Sequence, residues 1–481
     1  MLTRTSTQSL TGQLADRLAE RIRTRLLPPG ARLPSVRECA RQQGVSPYTV
    51  VAAYDQLLAQ GLVEARRQRG FYVRDSAPAQ DGRSTNGADA SGTMGVPAAI
   101  AVQMMASRVP ADASSLIRSM FHRPSDKPQP GMGVFPPDWM ASTFMPTAVR
   151  RMTNTAALQE LSLQYGEPAG DMSLRRSLSQ KLVGINVPAS PEQIVTTVGA
   201  THALDIVSRT LLRAGDPVMV EEPGWALEFA RLEALGMRIL PVPRRADGPD
   251  LEVMAQYCKL HSPKLFVSVS VLHNPTGYSL TPGSAHRVLK LANEHGFHIV
   301  EDDTYSHLAP EHATRLSALD GLQRTIYVSG FAKILAPNWR IGFLAAPPDL
   351  KERLLETKLL ATLTSPTLFE RALSWCIDQG QLRRHSERVR IRLDGARGRA
   401  VKLAMAHGCT FASEPAGLFG WVDTGVDTDA LTQRMLDQGY LLAPGSLFHA
   451  RRPPSTMMRI NFATSQDAAF WKVFSKVRSE L

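Results

Sequence analysis

Three short stretches of the chain place reactive side chains directly after apolar runs. They are His273-Asn274-Pro275-Thr276-Gly277, Glu301-Asp302-Asp303-Thr304-Tyr305 and Ser329-Gly330-Phe331-Ala332-Lys333. They bring an amide (Asn274), a carboxylate (Asp302), a phenol (Tyr305) and an amine (Lys333). A buried amine can form a Schiff base with an aldehyde, and a carboxylate can keep a ring nitrogen protonated. A phenol and an amide can hydrogen-bond a ring hydroxyl. Each residue alone is weak evidence of chemistry, since a strand-end Asp or Lys is more often a solvated surface group. Their order and spacing are what carry the reading.

Those are the requirements of pyridoxal 5′-phosphate (PLP). Its phosphate needs backbone N–H groups at a helix start, and Gly199-Ala200-Thr201-His202 lies between an apolar run and a helical pattern. Arg340, seven residues after Lys333, can add a forked contact to a phosphate, and Trp225 in Glu222-Pro223-Gly224-Trp225 can stack on a ring. The elements that must position these groups are legible too. Apolar runs at 194–198, 218–221, 239–242, 265–271, 298–300, 325–328 and 341–345 alternate with helical stretches such as 202–212 and 282–295. That alternation predicts an α/β domain with a mostly parallel sheet, its ligands gathered beyond the C-terminal strand ends.

The front of the chain differs in charge. Residues 1–74 hold 12 arginines, no lysine and five acids, so they supply +7 of the net +11 carried by 481 residues. A basic segment on a nearly neutral remainder points to a polyanionic partner. Leu10, Leu14, Leu18, Ile22 and Leu26 mark one amphipathic helix, stopped by Pro28-Pro29-Gly30. Ser35 is placed to cap a second helix to about Gln43, burying Val36, Cys39 and Ala40. Ser46, followed by Pro47, is placed to cap a third that buries Val50, Tyr54 and Leu57. Two short runs around the arginine-rich loop 66–70 read as a hairpin. Helix, helix–turn–helix and basic hairpin make a winged helix-turn-helix, whose third helix enters a DNA major groove.

That front segment resembles the GntR family of bacterial regulators, through PPGARLPSVRECA, GVSPYTVVAAYDQLLAQGLVEAR and RGFYV. The resemblance implies DNA contacts from Ser35, Arg37, Ser46 and Thr49, and from the wing at Arg66, Arg67, Arg69 and Gly70. Pro47 stands where many members have a base-reading arginine, which shifts base reading toward Tyr48, Thr49 and Arg37.

Roughly residues 130–470 resemble the fold-type I PLP enzymes of the class I/II aminotransferases, through LQYGEPAGDMSLRRSL, TTVGATHALD, EEPGW, HNPTG, EDDTY, VSGFAKILAPNWRIGF and MMRINFA. The resemblance implies that Lys333 binds PLP covalently and Asp302 pairs with the pyridine nitrogen. It implies Asn274 and Tyr305 on the ring oxygen, Ala200, Thr201 and Arg340 on the phosphate, and Trp225 stacked on the ring. Tyr165 would reach the phosphate of a neighbouring subunit, implying a homodimer, and Arg459 would bind the α-carboxylate of an amino acid. Alternation along 458–462 sets Arg459 opposite Met458, Ile460 and Phe462. Gly330 and Ala332 stand where the family often has hydroxyl residues, so one phosphate contact is expected to be missing.

The expected organisation is a DNA-binding domain at 1–74, a flexible linker at 75–112 rich in Ser, Ala, Gly and Asp, and a PLP domain at 113–481. Its smaller C-terminal α/β subdomain is expected from about 365. The combination resembles the MocR subgroup of PLP-dependent regulators, with an amino acid or amine, or PLP itself, as effector. A working aminotransferase with an added DNA-binding head stays open, as does a large domain that only dimerises. Cys39, Cys258, Cys376 and Cys409 lie far apart with no metal-ligand spacing, which argues against a disulfide framework and a zinc site. No apolar run reaches the roughly 20 residues of a membrane span, and the N-terminus lacks a signal-peptide core, so a cytoplasmic protein is expected.

Overall fold

The computed structural model describes residues 9–23, 26–66, 70–74, 125–142, 144–153, 158–159, 163–335 and 337–481. The expected linker, together with Arg67 and Arg69 of the wing, lies outside the described residues. The chain divides into two compact units, Met1–Lys127 with Asp429–Leu441, and Pro128–Thr428 with Leu442–Leu481.

In the first unit α1 (Leu10–Arg23), α2 (Val36–Gln43) and α3 (Pro47–Ala59) precede a hairpin of β1 (Val63–Arg66) and β2 (Gly70–Val73). Helix α1 buries Leu14, Ala15, Leu18, Ala19 and Ile22, a broader stripe than the leucines alone. Helix α2 buries Cys39 and Ala40 while Val36 is only half-buried. Both serines cap as expected: Ser35 Oγ accepts from Glu38 N (3.3 Å) and Ser46 Oγ from Thr49 N (3.1 Å). Gly44 ends α2 at φ 66°, the left-handed conformation that makes the tight turn into α3 possible. Tyr54 closes the core from below, its hydroxyl donating to Pro34 O (2.9 Å).

The second unit is organised by a seven-stranded sheet in the order β3-β9-β8-β7-β6-β4-β5. Its strands are β3 (Ile194–Thr197), β4 (Pro217–Glu222), β5 (Arg238–Pro243), β6 (Leu265–Ser268), β7 (His298–Asp302), β8 (Thr325–Gly330) and β9 (Gly342–Ala345). Only β9 is reversed, pairing antiparallel with both β3 and β8. The strands read as unbroken apolar runs because both faces are covered. On one face Val218, Val220, Val267, Val300 and Val328 meet Ala203, Ile206 and Val207 of the helix Ala200–Leu211. On the other, Met219, Phe266 and Ile299 meet Ala285, Val288 and Ala292 of the helix Pro282–His295.

A second, antiparallel sheet runs β10 (Thr410–Phe411), β11 (Phe419–Asp423), β13 (Met457–Asn461), β12 (Ala443–Pro444). The 26-residue helix Gln381–Ala406 leads into it. Among the described residues no helix is long and apolar enough to cross a membrane, and no cluster of His, Cys, Asp or Glu could hold a metal ion.

Candidate active site

Five loops leave the large sheet at one edge, those after β3, β4, β6, β7 and β8, and they carry the groups singled out in the sequence. The turn after β8 brings Lys333 inward, where Nζ donates to Gly133 O over 2.7 Å. Burial pushes this amine down to about 8; the Arg459 and Arg340 charges act in the same sense and Asp302 opposes them. A free amine is therefore accessible near neutral pH, which a carbonyl-attacking lysine requires.

Asp302 ends β7. Burial raises its carboxyl to about 6, against the lowering effect of hydrogen bonds from Thr304. Thr304 N donates to Oδ1 at 3.0 Å and the Thr304 hydroxyl donates to the same oxygen. That leaves Oδ2 as the oxygen with no hydrogen-bond partner among the described residues. Tyr305 is buried, its ring meeting Phe419 edge-on at 5.6 Å, and burial pushes its phenol up.

Arg459, on β13, is 1 % exposed and binds two carbonyl oxygens. Nη1 donates to Asn274 Oδ1 (3.0 Å) and Nη2 to Gly131 O (2.6 Å), while Nε is buried without a partner. Its guanidinium lies 4.4 Å from the Phe419 ring centroid and 5.7 Å from that of Trp225. Burial lowers it to about 10. Both faces of β13 are buried, so Arg459 is not set apart by exposure but by what it meets.

The helix Ala200–Leu211 begins at Gly199, which caps it with no side-chain hydrogen bond. His202 N and Ala203 N donate to Gly199 O (3.1 and 3.3 Å), while Ala200 N and Thr201 N, which have no partner among the described residues, are open to an anion. Arg340 leans over this turn, Nη2 donating to Val198 O (3.0 Å). A Cβ built on Gly199 would stand 2.5 Å from that Nη2, and Gly199 also holds φ +87°, so only glycine serves there. Gly342 on β9 is equally constrained, its added Cβ lying 2.4 Å from Gly199 C. A Cβ on Gly330 would stand 3.3 Å from Ala200 N, which places the missing hydroxyl of that position at the helix start.

The structure thus gathers Lys333, Asp302, Tyr305, Asn274, Arg459 and Trp225, with Ala200, Thr201 and Arg340 forming an uncapped cationic cradle at their edge. Tyr165 is not brought in; it is 82 % exposed. Sequence reasoning missed Gly131 and Gly133, whose carbonyls hold Arg459 and Lys333. It also missed Asn461, which fixes that segment by donating to Met132 O (2.9 Å) and Val134 O (2.8 Å). The glycine-rich run Gln129-Pro130-Gly131-Met132-Gly133 was the available signal. In the first unit, the candidate DNA contacts Ser35, Arg37, Ser46, Tyr48, Arg66 and Gly70 are exposed and Thr49 is half-buried. Arg66 is partly committed to its own hairpin, pairing with Glu64 (2.7 Å) and stacking 4.5 Å over Tyr72.

Residues 132–474 match the family Aminotransferase class I and II. The chain belongs to that family. Residues 10–73 match the bacterial regulatory proteins of the gntR family. The uncharacterized HTH-type transcriptional regulator YdcR of Escherichia coli is 27% identical, over 94% of this chain and 94% of its own. The 2-aminoadipate transaminase of Thermus thermophilus is 30% identical over 63% of this chain and 78% of its own. Among solved structures, the α-aminoadipate aminotransferase LysN of Thermus thermophilus, complexed with N-(5′-phosphopyridoxyl)-L-leucine, superposes with a TM-score of 0.69. It is 24% identical and covers 76% of this chain and 94% of that one. Class I and II aminotransferases bind PLP. The donor set here suits that group: an uncapped helix start beside a guanidinium, a buried carboxylate with one open oxygen, and a buried amine that loses its proton near neutral pH.

Proposed function

We propose that this protein is a PLP-dependent, DNA-binding transcription regulator of the MocR kind, which senses an amino acid or amine at Lys333. The observation that supports it most is the joining, on one chain, of a GntR-type head with exposed recognition groups and an aminotransferase-family site with its chemical groups retained. PLP supplies an aldehyde that condenses with amines and a ring that withdraws electrons. Around it, Lys333 Nζ provides the attacking amine and moves a proton. Asp302 Oδ2 holds a ring nitrogen protonated, and Asn274 Nδ2 and the Tyr305 hydroxyl hold a ring oxygen. Ala200, Thr201 and Arg340 bind the phosphate, Trp225 covers the ring, and Arg459 receives a carboxylate through Nε once Gly131 gives way. Tyr165, exposed in its own chain, completes the phosphate site of a second copy in a homodimer. The setting is cytoplasmic, with operator DNA as the partner of the head.

A ligand that favours one arrangement of the two heads over another shifts their affinity for DNA. The test is promoter binding by the full chain with PLP, with and without each amino acid. Lys333→Ala is expected to bind DNA but to lose the ligand response. A normal response in that variant would sink the proposal. The retained proton-moving lysine and the transaminase relative support a second reading, a working aminotransferase. Turnover of an amino acid to its 2-oxo acid at enzymatic rates would select it.

A further inference from the structure

Away from the cofactor site, a cavity of about 340 Å³ opens where the helices Met172–Val183, Thr367–Asp378 and Gln381–Ala406 converge behind Tyr305. Its volume is in the range of small-molecule sites. The long helix Gln381–Ala406 presents its first turn to this space. Gly380 caps that helix without a side-chain hydrogen bond, and the first turn has no acid. It carries Arg383 instead, a cation that lines the cavity where the helix dipole disfavours it; the neighbouring Arg384 turns away to donate to Gln379 O (2.8 Å). An anion in the cavity removes that conflict and takes up the free N–H groups.

Two further groups point to the same ligand. Ser386, one turn on and 7 % exposed, lines the cavity with its hydroxyl unpartnered. Lys181 lines it from the facing helix, and its ammonium has no hydrogen bond or ion pair with a described residue. Burial pushes that amine down, with Asp303 and Glu311 opposing the shift and Arg315 adding to it. Arg390 adds a third cation, held loosely by Ala309 O at 3.4 Å. Two carboxylates also face the cavity. Asp378 is taken by Ser177 (2.7 Å) and by Ser374 (3.5 Å), and Glu311 is exposed at the rim. Ile185, Ile377 and Leu382 give the remaining wall an apolar character.

The cavity is linked to the cofactor site by a short path. Ser306 and His307 form its wall and directly follow Tyr305 in the chain. The His307 ring packs against Phe331 at 5.3 Å, two residues before Lys333. We propose that this cavity is a second ligand site, for a small organic anion with a phosphate or carboxylate head and a short apolar body, and that its occupancy is felt at Lys333 through His307 and Phe331.

The test uses the full-length protein, with PLP loading verified first by absorbance, so that a failure of cofactor binding is seen separately. Inorganic phosphate and isobutyrate, neither of which has an amine, are titrated in by calorimetry. Saturable binding of at least one probe in roughly the millimolar range or tighter is expected. It should weaken by about tenfold or more in Lys181→Met and in Arg383→Gln. The second variant changes an exposed side chain and serves if the first does not fold. Binding should also shift the cofactor absorption band. Absence of saturable heat with both probes, or unchanged affinity in the folded variants, overturns the site. Binding without a change in the band overturns the coupling.

Discussion

Arg459 Nη1 donates to Asn274 Oδ1 across 3.0 Å, and that one bond fixes which end of the amide faces the site. A guanidinium has donors only, so the amide oxygen must turn toward it and the Nδ2 donor away. Asn274 is thereby set as a donor toward an acceptor such as a ring oxygen. Arg459→Met removes this orientation together with the carboxylate-binding group. Amino-acid affinity, read from the ligand-induced change in cofactor absorbance, is expected to fall about a hundredfold, roughly 3 kcal/mol, with PLP still bound. Unchanged affinity would remove Arg459 from the ligand site.

The pH dependence follows from two shifted groups. Carbonyl attack needs the neutral amine, and Lys333 titrates near 8 rather than 10.5. The rate of PLP attachment to cofactor-free protein should therefore rise about tenfold per unit below pH 8 and level off above it. Asp302 titrates near 6, so it is charged above that value and neutral below. PLP affinity should weaken as pH falls through 6, because a neutral carboxyl no longer holds a ring cation. Stopped-flow absorbance and equilibrium titration read the two effects separately. A flat attachment rate between pH 6 and 8 contradicts the first.

Gly342→Ala forces a methyl to within 2.4 Å of Gly199 C, against backbone that cannot swing aside. Overpacking of this kind costs about 1–3 kcal/mol, and here it also displaces the N–H groups of the cradle. Both the midpoint of thermal unfolding and PLP occupancy should drop. Loss of stability with full occupancy would separate the strand from the cradle.

Gly330→Ser runs the other way. Its Cβ would lie 3.3 Å from Ala200 N and 3.4 Å from Ile341 O, tight contacts that a shift of a few tenths of an ångström relieves. The hydroxyl then adds one charge-assisted bond to a phosphate, about 1.5 kcal/mol or roughly tenfold slower PLP release. Faster release would show that the site cannot make room.

In the head, Arg37 is exposed at the start of its helix and has no protein partner among the described residues. Arg37→Ala should weaken operator binding by about 1–3 kcal/mol and flatten sequence preference if it reads a base. If it meets only phosphate, binding weakens evenly and the salt slope falls by about 1. Electrophoretic shifts at several salt concentrations distinguish the two.

The parts of this fold visible in the sequence share a physical cause. Strands covered on both faces read as apolar runs, and the groups after them stand out through their joint order and spacing rather than singly. The caps Ser35 and Ser46 were visible for a similar reason, as short hydroxyl residues ahead of helical periodicity. The hidden half of the site is made of main-chain atoms. Gly131 and Gly133 act through carbonyls, which no side-chain pattern reports. Two-residue strands such as Thr410–Phe411 and Ala443–Pro444 are too short for any periodicity to register. At Met457–Asn461 burial on both faces erased the meaning of alternation, so the bond to Asn274 rather than the period identifies Arg459.

The bond from Lys333 to Gly133 ties reactivity to the path of the chain. A lysine amine engaged elsewhere would release Gly133 O, leaving Gly131 O bonded to Arg459 and Met132 O to Asn461 among the described residues. A carboxylate that claims Arg459 loosens the first of these as well. That glycine-rich stretch is the beginning of the second unit, a few residues downstream of the segment leading back to the head. Amide hydrogen exchange at residues 131–134 is therefore expected to quicken when the site fills.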